Sequence, residues 1–497
     1  MNQIAVWRTI RAIAACLWVV FLLQSLTSFS YYARLFSITL YFTESLGMSD
    51  ASATSYYMWF GAASVIFSVL AGPVVDQLGL KRSMLLGVTA LTVAGFVFAF
   101  SQNIPLTAAA LLGGIPLGTA LLEPPMHISI NRYSSLKVAN KGEADEVEKM
   151  GFRFIYIAAN LGAALALVFT SLAVGNPAND SGNASTSAVP LNCSRPLDFF
   201  AGDETVGLDS LDSDDPWFIS GYALLFAVAA VVTLVSVFVV WAFEEVRLPQ
   251  ASAKFSFREF LGTARETRFY VLLLFVASLV PVRATFKYLE ALMPIYIRRT
   301  QPCAPYGLLL AVNPLSIVPL VAVMAPATRR VPLFVLLIAG TFVAGAAPLL
   351  LTFWTEAPYY SNIWVAVLLQ TIGEAAYSPL ISLYIMKMSP PNKKGLYGGL
   401  LKLPEFLGNF AAGKITAWAL AEYCPPGGDP EQCHGMWVPL SLISLISFVL
   451  LTVLYVILYP VCKFRDEEEE VQGYSQQLDQ LAEGSVESSS QESVVRD

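Results

Sequence analysis

Charge is what this 497-residue chain has least of: 13% of its residues are Asp, Glu, Lys or Arg, against 56% hydrophobic, and the mean hydropathy is +0.59. A soluble domain carries roughly 25% charged residues, so too few water-facing side chains remain to clothe a soluble multidomain enzyme or a disordered scaffold. Histidine is scarcer still, with only His127 and His434, and no metal-ligand spacing forms around the six cysteines. A basic patch, a P-loop and a nucleophile/base set are also missing. Nucleic-acid partners, ATP-driven pumping and enzyme catalysis are therefore not expected, and neither a metal nor a cofactor is called for.

The apolar residues are gathered into blocks of about twenty, the length that crosses roughly 30 Å of hydrocarbon as a helix. Twelve spans are predicted, near 12–42, 53–75, 83–101, 105–129, 151–174, 217–243, 269–297, 305–326, 331–353, 361–388, 396–420 and 436–462. No small-residue cleavage site precedes Arg34, so the first span reads as a retained helix and not as a removed signal peptide. Basic residues orient the set. With a cytoplasmic N-terminus, 22 of the 30 Lys and Arg fall on inner segments, and only Arg195, Arg298 and Arg299 on outer loops. The positive-inside rule then puts both termini in the cytoplasm.

The outer loop of about 175–216 carries three glycosylation sequons, at Asn179, Asn183 and Asn192, on the side that charge selects. That is expected of a eukaryotic secretory-route membrane, and plasma and endolysosomal membranes both fit. Cys193, Cys303, Cys424 and Cys433 share this outer side. Cys424 and Cys433 lie in one short loop and could close a local disulfide; four cysteines allow three connectivities.

Spans 1–6 and 7–12 divide at a longer polar inner segment. The predicted organisation is an N-terminal six-helix bundle (1–243), a cytoplasmic linker (244–268), a C-terminal six-helix bundle (269–462) and an acidic tail (463–497) too poor in apolar residues to fold. The halves echo each other: Lys81-Arg82 leads to Val93-Ala-Gly95, and Arg329-Arg330 to Val343-Ala-Gly345. Two pseudo-symmetric halves with a site between them are the plan of a rocker-type secondary transporter.

Between spans 2 and 3 the chain reads Gly72-Pro-Val-Val-Asp76-Gln-Leu-Gly79-Leu-Lys81-Arg82. This resembles the signature G-x-x-x-D-R/K-x-G-R/K-R/K of the major facilitator superfamily, with Gln77 and Leu80 departing from it. Glycines permit a tight inner turn, and Asp76 can pair with cations as the halves close. Five further stretches resemble the proton-coupled oligopeptide and nitrate transporter family within that superfamily. They are Phe29-Ser-Tyr31-Tyr32, Gly118 through Glu123-Pro124, Phe154-Ile-Tyr156 through Asn160-Leu-Gly162, Gly373-Glu374 with Ser378-Pro379, and Gly408-Asn409 to Gly413. Where the family has E-x-x-E-R, this chain has Gln24-Ser-Leu-Thr27-Ser28, and Glu123 replaces the fourth-helix lysine. The resemblance implies an all-α membrane protein of twelve helices with the major facilitator fold and a transport role. It carries over neither helix-1 proton coupling nor a peptide or nitrate substrate.

Charge at membrane depth costs from about 2.5 kcal/mol upward, so such residues pair or line a wet cavity. Span 4 holds Glu123 and His127, span 7 Arg283, Lys287 and Glu290, span 10 Glu374, and span 11 Lys402, Glu405 and Asn409. Each set shares one helix face. On a structural reading, Lys287–Glu290 and Lys402–Glu405 are local pairs, and Glu123 bridges to Arg283 or Lys287. On a functional reading, Glu123, Glu290, Glu374 and Glu405 are candidate proton sites beside His127, since a buried carboxylate without a full counter-charge favours its neutral form. Arg283, Lys287 and Lys402 would receive an anionic group, Arg283 foremost because its planar fork grips a carboxylate in two contacts. Tyr31, Tyr32, Tyr156 and Asn160 would add polar and aromatic lining. Pro124, Pro125, Pro281, Pro294, Pro379 and Pro404 fall near these charges, where bends and freed carbonyls are tolerated beside protein or a cavity.

The expected function is secondary active transport of a small anionic or zwitterionic solute by alternating access, with proton coupling as a secondary expectation. A facilitative uniporter and a non-transporting receptor or adaptor on a transporter fold are the alternatives. The expected partners are the solute, protons and the bilayer, and the chain is expected to act as a monomer.

Overall fold

The computed structural model describes residues 15–101, 103–133, 141–174, 221–245, 267–302, 304–327, 331–355, 358–388 and 402–457. Long helices follow the predicted spans in order: α1 (Ala15–Leu35), α2 (Asp50–Leu78), α3 (Leu80–Phe100), α4 (Ile115–Tyr133), α5 (Lys141–Ala173) and α6 (Gly221–Trp241). The second set is α7 (Thr267–Ala291), α8 (Tyr306–Ala327), α9 (Leu333–Ala346), α10 (Ser361–Met388), α11 (Lys402–Tyr423) and α12 (437–457). Among the described residues no strand occurs, and nine segments are long and apolar enough to cross a membrane. The chain is an all-α, multi-pass integral membrane protein. Its compact body is Met1–Phe448; a second unit, Val449–Asp497, is helical over 449–457. The sequons, Cys193, Cys303, most of 244–268 and the 463–497 tail lie outside the described residues.

Several boundaries differ from the hydropathy reading. Span 1 is interrupted by a turn at Phe36–Ser37 and closes through a π-helical turn, Tyr41–Ser45. Span 4 opens as Ile104–Ala109 and passes through a second π turn, Ala110–Gly114, before α4. Pro124 and Pro125 lie within continuous helix. Span 7 breaks at Leu292, and a new helix, Met293–Thr300, has Pro294 in its first turn, where the missing N–H costs nothing. Helix α5 starts ten residues before its apolar run, because Lys141–Met150 is helical but too charged to register as a span.

Helices in lipid gain little from hydrophobic burial against one another, so close backbone approach holds them together. Within the first half α1 packs on α5 and α6, and α4 on α2 and α3; within the second, α7 packs on α11 and α10 on α8 and α9. The halves meet along α2/α11 and α5/α8. Gly413 of α11 lies against Thr54 and Met58 of α2, and Gly307 lies against Leu167 and Ser171 of α5. The Leu308 N–H donates to Ser171 Oγ at 2.8 Å. An alanine at either glycine would force these helices apart.

Candidate functional site

Proline makes α7 a helix that cannot satisfy itself. Pro281 lacks an N–H and crowds the preceding turn, and neighbouring helices brace the segment. Val282 N–H donates to Ser447 Oγ of α12 at 2.9 Å, Gln370 of α10 donates to the Thr285 carbonyl at 3.1 Å, and Thr285 hydrogen-bonds Ser444. This fixes the stripe that begins at Arg283. Lys287 Nζ lies 2.9 Å from Glu290 Oε1 and 3.1 Å from Oε2. Tyr57 of α2, in the first half, donates its hydroxyl to the same carboxylate. Glu290 is buried and Lys287 half-buried.

Arg283 takes the other direction. Its guanidinium carbon lies 5.6 Å from the centre of the Tyr377 ring on α10, within reach of a cation–π attraction. One turn earlier on α10, Glu374 Oε2 accepts from Asn313 Nδ2 of α8 at 3.0 Å, and the same amide reaches Thr371 Oγ1 at 3.0 Å. Glu374 lies within electrostatic reach of Arg283, Lys287 and Glu290, and Tyr156 of α5 within reach of Glu374 and Arg283. Asn160 donates to the Tyr156 carbonyl at 2.9 Å, one turn along α5. The Tyr377 hydroxyl is buried without a hydrogen-bond partner. Tyr57 and Tyr156 from the first half thus meet Arg283, Lys287, Glu290, Asn313, Glu374 and Tyr377 from the second. Two cations and two carboxylates balance there, leaving a zone that can take a zwitterion without importing net charge.

The other candidates sit elsewhere. His127 is exposed on α4, its Nδ1 3.0 Å from the Glu123 carbonyl and its ring 6.2 Å from Phe152 of α5. Glu123 is half-buried. Of its two suggested bridge partners, Lys287 is engaged by Glu290 and Arg283 lies over Tyr377. Tyr31 packs on Tyr32 and Phe60 with centroids 5.3 and 5.9 Å away, and Gln24 donates to Ser28 at 2.9 Å. Asn409 is buried against Gly61 of α2, its Oδ1 without a partner. The side chains of Gly72-Pro73, Asp76, Pro379, Lys402, Pro404 and Glu405 lie outside the described residues. Among the described residues no cluster of three or more His, Cys, Asp or Glu could hold a metal ion.

The 2–3 turn is organised by α6. Gly79, at φ +81°, ends α2 and starts α3, a backbone conformation that only glycine takes readily. Glu245 caps the start of α3 by accepting from the N–H groups of Leu80 (2.9 Å) and Lys81 (3.2 Å), and Lys81 Nζ donates to the Trp241 carbonyl at 2.8 Å. A carboxylate at a helix N-terminus meets free donors and the positive dipole end. Arg82 is exposed.

At the opposite end, ion pairs cross between halves. Arg299 Nη2 lies 2.7 and 2.9 Å from the two Asp50 oxygens, and its Nη1 donates to the Cys424 carbonyl. Cys424 is disulfide-bonded to Cys433. Arg298 sits 3.6 Å from Glu44 and 5.4 Å from the centre of the Tyr306 ring, while Tyr222 donates to Glu44 at 2.6 Å. Tyr296 pairs with His434 Nδ1 at 2.8 Å. These contacts tie residues 44–50 and 222 to residues 296–306 and 424–434 at one end of the helices.

No family model matches the chain, and no curated protein matches it. Solved structures do. A structure described as bearing on substrate recognition in proton-dependent oligopeptide transporters aligns at TM-score 0.65 and 16% identity, covering 90% of this chain and 99% of that one. The nucleoside transporter NupG aligns at TM-score 0.67 and 13% identity, covering 88% and 100%. A POT family transporter in complex with 5-aminolevulinic acid aligns at TM-score 0.65 and 15% identity, covering 90% and 99%. The chain therefore shares its fold with these solved transporters.

Proposed function

We propose that this chain is a secondary transporter that moves a small zwitterionic or anionic solute across a eukaryotic plasma or endolysosomal membrane by alternating access. The observation that carries this is the Arg283–Tyr377 contact beside the Asn313–Glu374 hydrogen bond, with Tyr156 of the other half in electrostatic reach. Arg283 would take a solute carboxylate in its planar fork, and Glu374 with Asn313 would take an amine. Glu374 and Glu290 are the leading proton sites, with Glu123 and Glu405 behind them. Arg299–Asp50 and Arg298–Glu44 would form the outer gate, and the Gly72–Arg82 segment would serve the inner one.

Coupling of solute to protons would follow if Glu374 must lose its Asn313 contact to receive an amine, because a solute ammonium and a carboxyl proton then compete for one oxygen. A purified monomer with cytoplasmic termini is the expected form. The decisive assay screens a metabolite panel by thermal shift, then measures flux of each stabilising compound into proteoliposomes with and without a pH gradient. Solute-specific uptake supports the reading. Stabilisation without translocation would favour a receptor or adaptor, a reading kept open by the Gln24–Ser28 replacement of the ionic helix-1 motif. Downhill flux indifferent to pH would indicate a uniporter.

A further inference from the structure

Arg34 is a buried cation that the transport reading does not use. It is 3% exposed, and its Nε and Nη1 are buried with no hydrogen-bond partner. The side chain folds back along α1, as helix side chains do, and lies between α3 and α6. An alanine Cβ at Gly95 would stand 3.0 Å from Arg34 Nη1 and 3.2 Å from Ala230 Cβ. The three helices that enclose it, α1, α3 and α6, contain no Asp or Glu. A buried charge without a counter-charge is unfavourable, and its unmet donors add to the cost.

Hydroxyls are gathered at the same level. Ser30, four residues before Arg34, donates to the Ala229 carbonyl at 2.5 Å; Thr233 donates to the Ala230 carbonyl at 2.8 Å; and Thr92, one turn from Gly95, donates to Val88 at 2.7 Å. All three are buried. Hydroxyl hydrogens rotate freely, so Ser30 and Thr233 can turn theirs from a backbone carbonyl to an anion. Gly95 of α3 and Ala230 of α6 bring little side-chain bulk beside Nη1, which suits a single-atom anion better than a polyatomic one. Lipid-facing escape is closed too, since the guanidinium points into the helix cluster and not toward the headgroups.

We propose that Arg34, with Ser30 and Thr233, holds a small monovalent inorganic anion, of which chloride is the abundant example, inside the α1–α3–α6 cluster. The ion would neutralise the guanidinium and tie three helices of the first half together, separately from the solute site.

The test uses purified full-length protein. Its thermal midpoint is measured in sodium chloride, sodium bromide and sodium gluconate at equal ionic strength. Chloride and bromide should raise the midpoint by several degrees in a saturable manner. Ser30→Ala, a mild change, should move the half-saturating chloride concentration severalfold upward, and Arg34→Gln should abolish the halide dependence. Arg283→Gln should keep it. Equal midpoints in all three salts would overturn the proposal even if Arg34→Gln failed to fold. A halide effect lost in Arg283→Gln and unchanged in Ser30→Ala would overturn it as well, by moving the ion to the solute site.

Discussion

The two halves handle charge differently at membrane depth. In α7 and α10 four ionisable residues, Arg283, Lys287, Glu290 and Glu374, face one another and draw neutral partners from α8 and from the first half. In α1 a single charge, Arg34, turns away among its own neighbours, and Gln24 hydrogen-bonds Ser28. At this cluster the second half supplies the four charges, while the first supplies the hydroxyl of Tyr57. Under the transport proposed above, the first half would rock over a charged surface that stays largely fixed.

Four substitutions would break or sharpen that contrast. Glu374→Gln should have the largest effect: accumulation against a gradient disappears, while the thermal midpoint stays near wild type. Uptake driven by a pH gradient at the wild-type level would remove Glu374 from coupling. Tyr57→Phe deletes the hydroxyl that the first half donates to the Glu290 carboxylate. At about 1.5 kcal/mol for a hydrogen bond to a charged group, the outer-closed state should lose roughly tenfold in population. Accessibility of an outer-cavity cysteine reporter measures this, and an unchanged labelling rate would contradict it.

Arg283→Lys keeps the charge and loses the fork, so solute affinity should fall by about 1 kcal/mol, roughly fivefold. Equal affinity in a binding titration would assign Arg283 a structural role. Arg299→Ala should be the mildest. Its partly exposed pair with Asp50 is worth up to about 1 kcal/mol, so outward opening should quicken by about two- to threefold, and less at high salt. A larger change that ignored salt would point instead to the Cys424 carbonyl contact.

Much of the architecture was legible because hydrocarbon imposes a length on apolar runs: all twelve long helices fall on predicted spans. The breaks at Phe36–Ser37 and Leu292 were not, since hydropathy continues through them. Nor was the early start of α5, whose first ten residues are polar. The α7 stripe was legible from spacing alone, and so was a local Lys287–Glu290 pairing as one option. Asn313, Tyr57 and Tyr377 escaped notice because a neutral polar residue in an apolar helix carries no charge signal. The pairs Arg299–Asp50 and Arg298–Glu44 join helix ends some 250 residues apart, and one-dimensional spacing says nothing about which ends meet. Glu245 was read only as part of a polar linker, although Gly79 and the free donors of α3 make its carboxylate a cap.

The most direct test of the charged-second-half account is solute binding and flux measured on one compound in wild type and Arg283→Gln side by side. The wild type should be stabilised by the compound and take it up, while the variant, folded to the same thermal midpoint without ligand, should do neither. Undiminished binding and uptake in Arg283→Gln would show that the solute is held elsewhere.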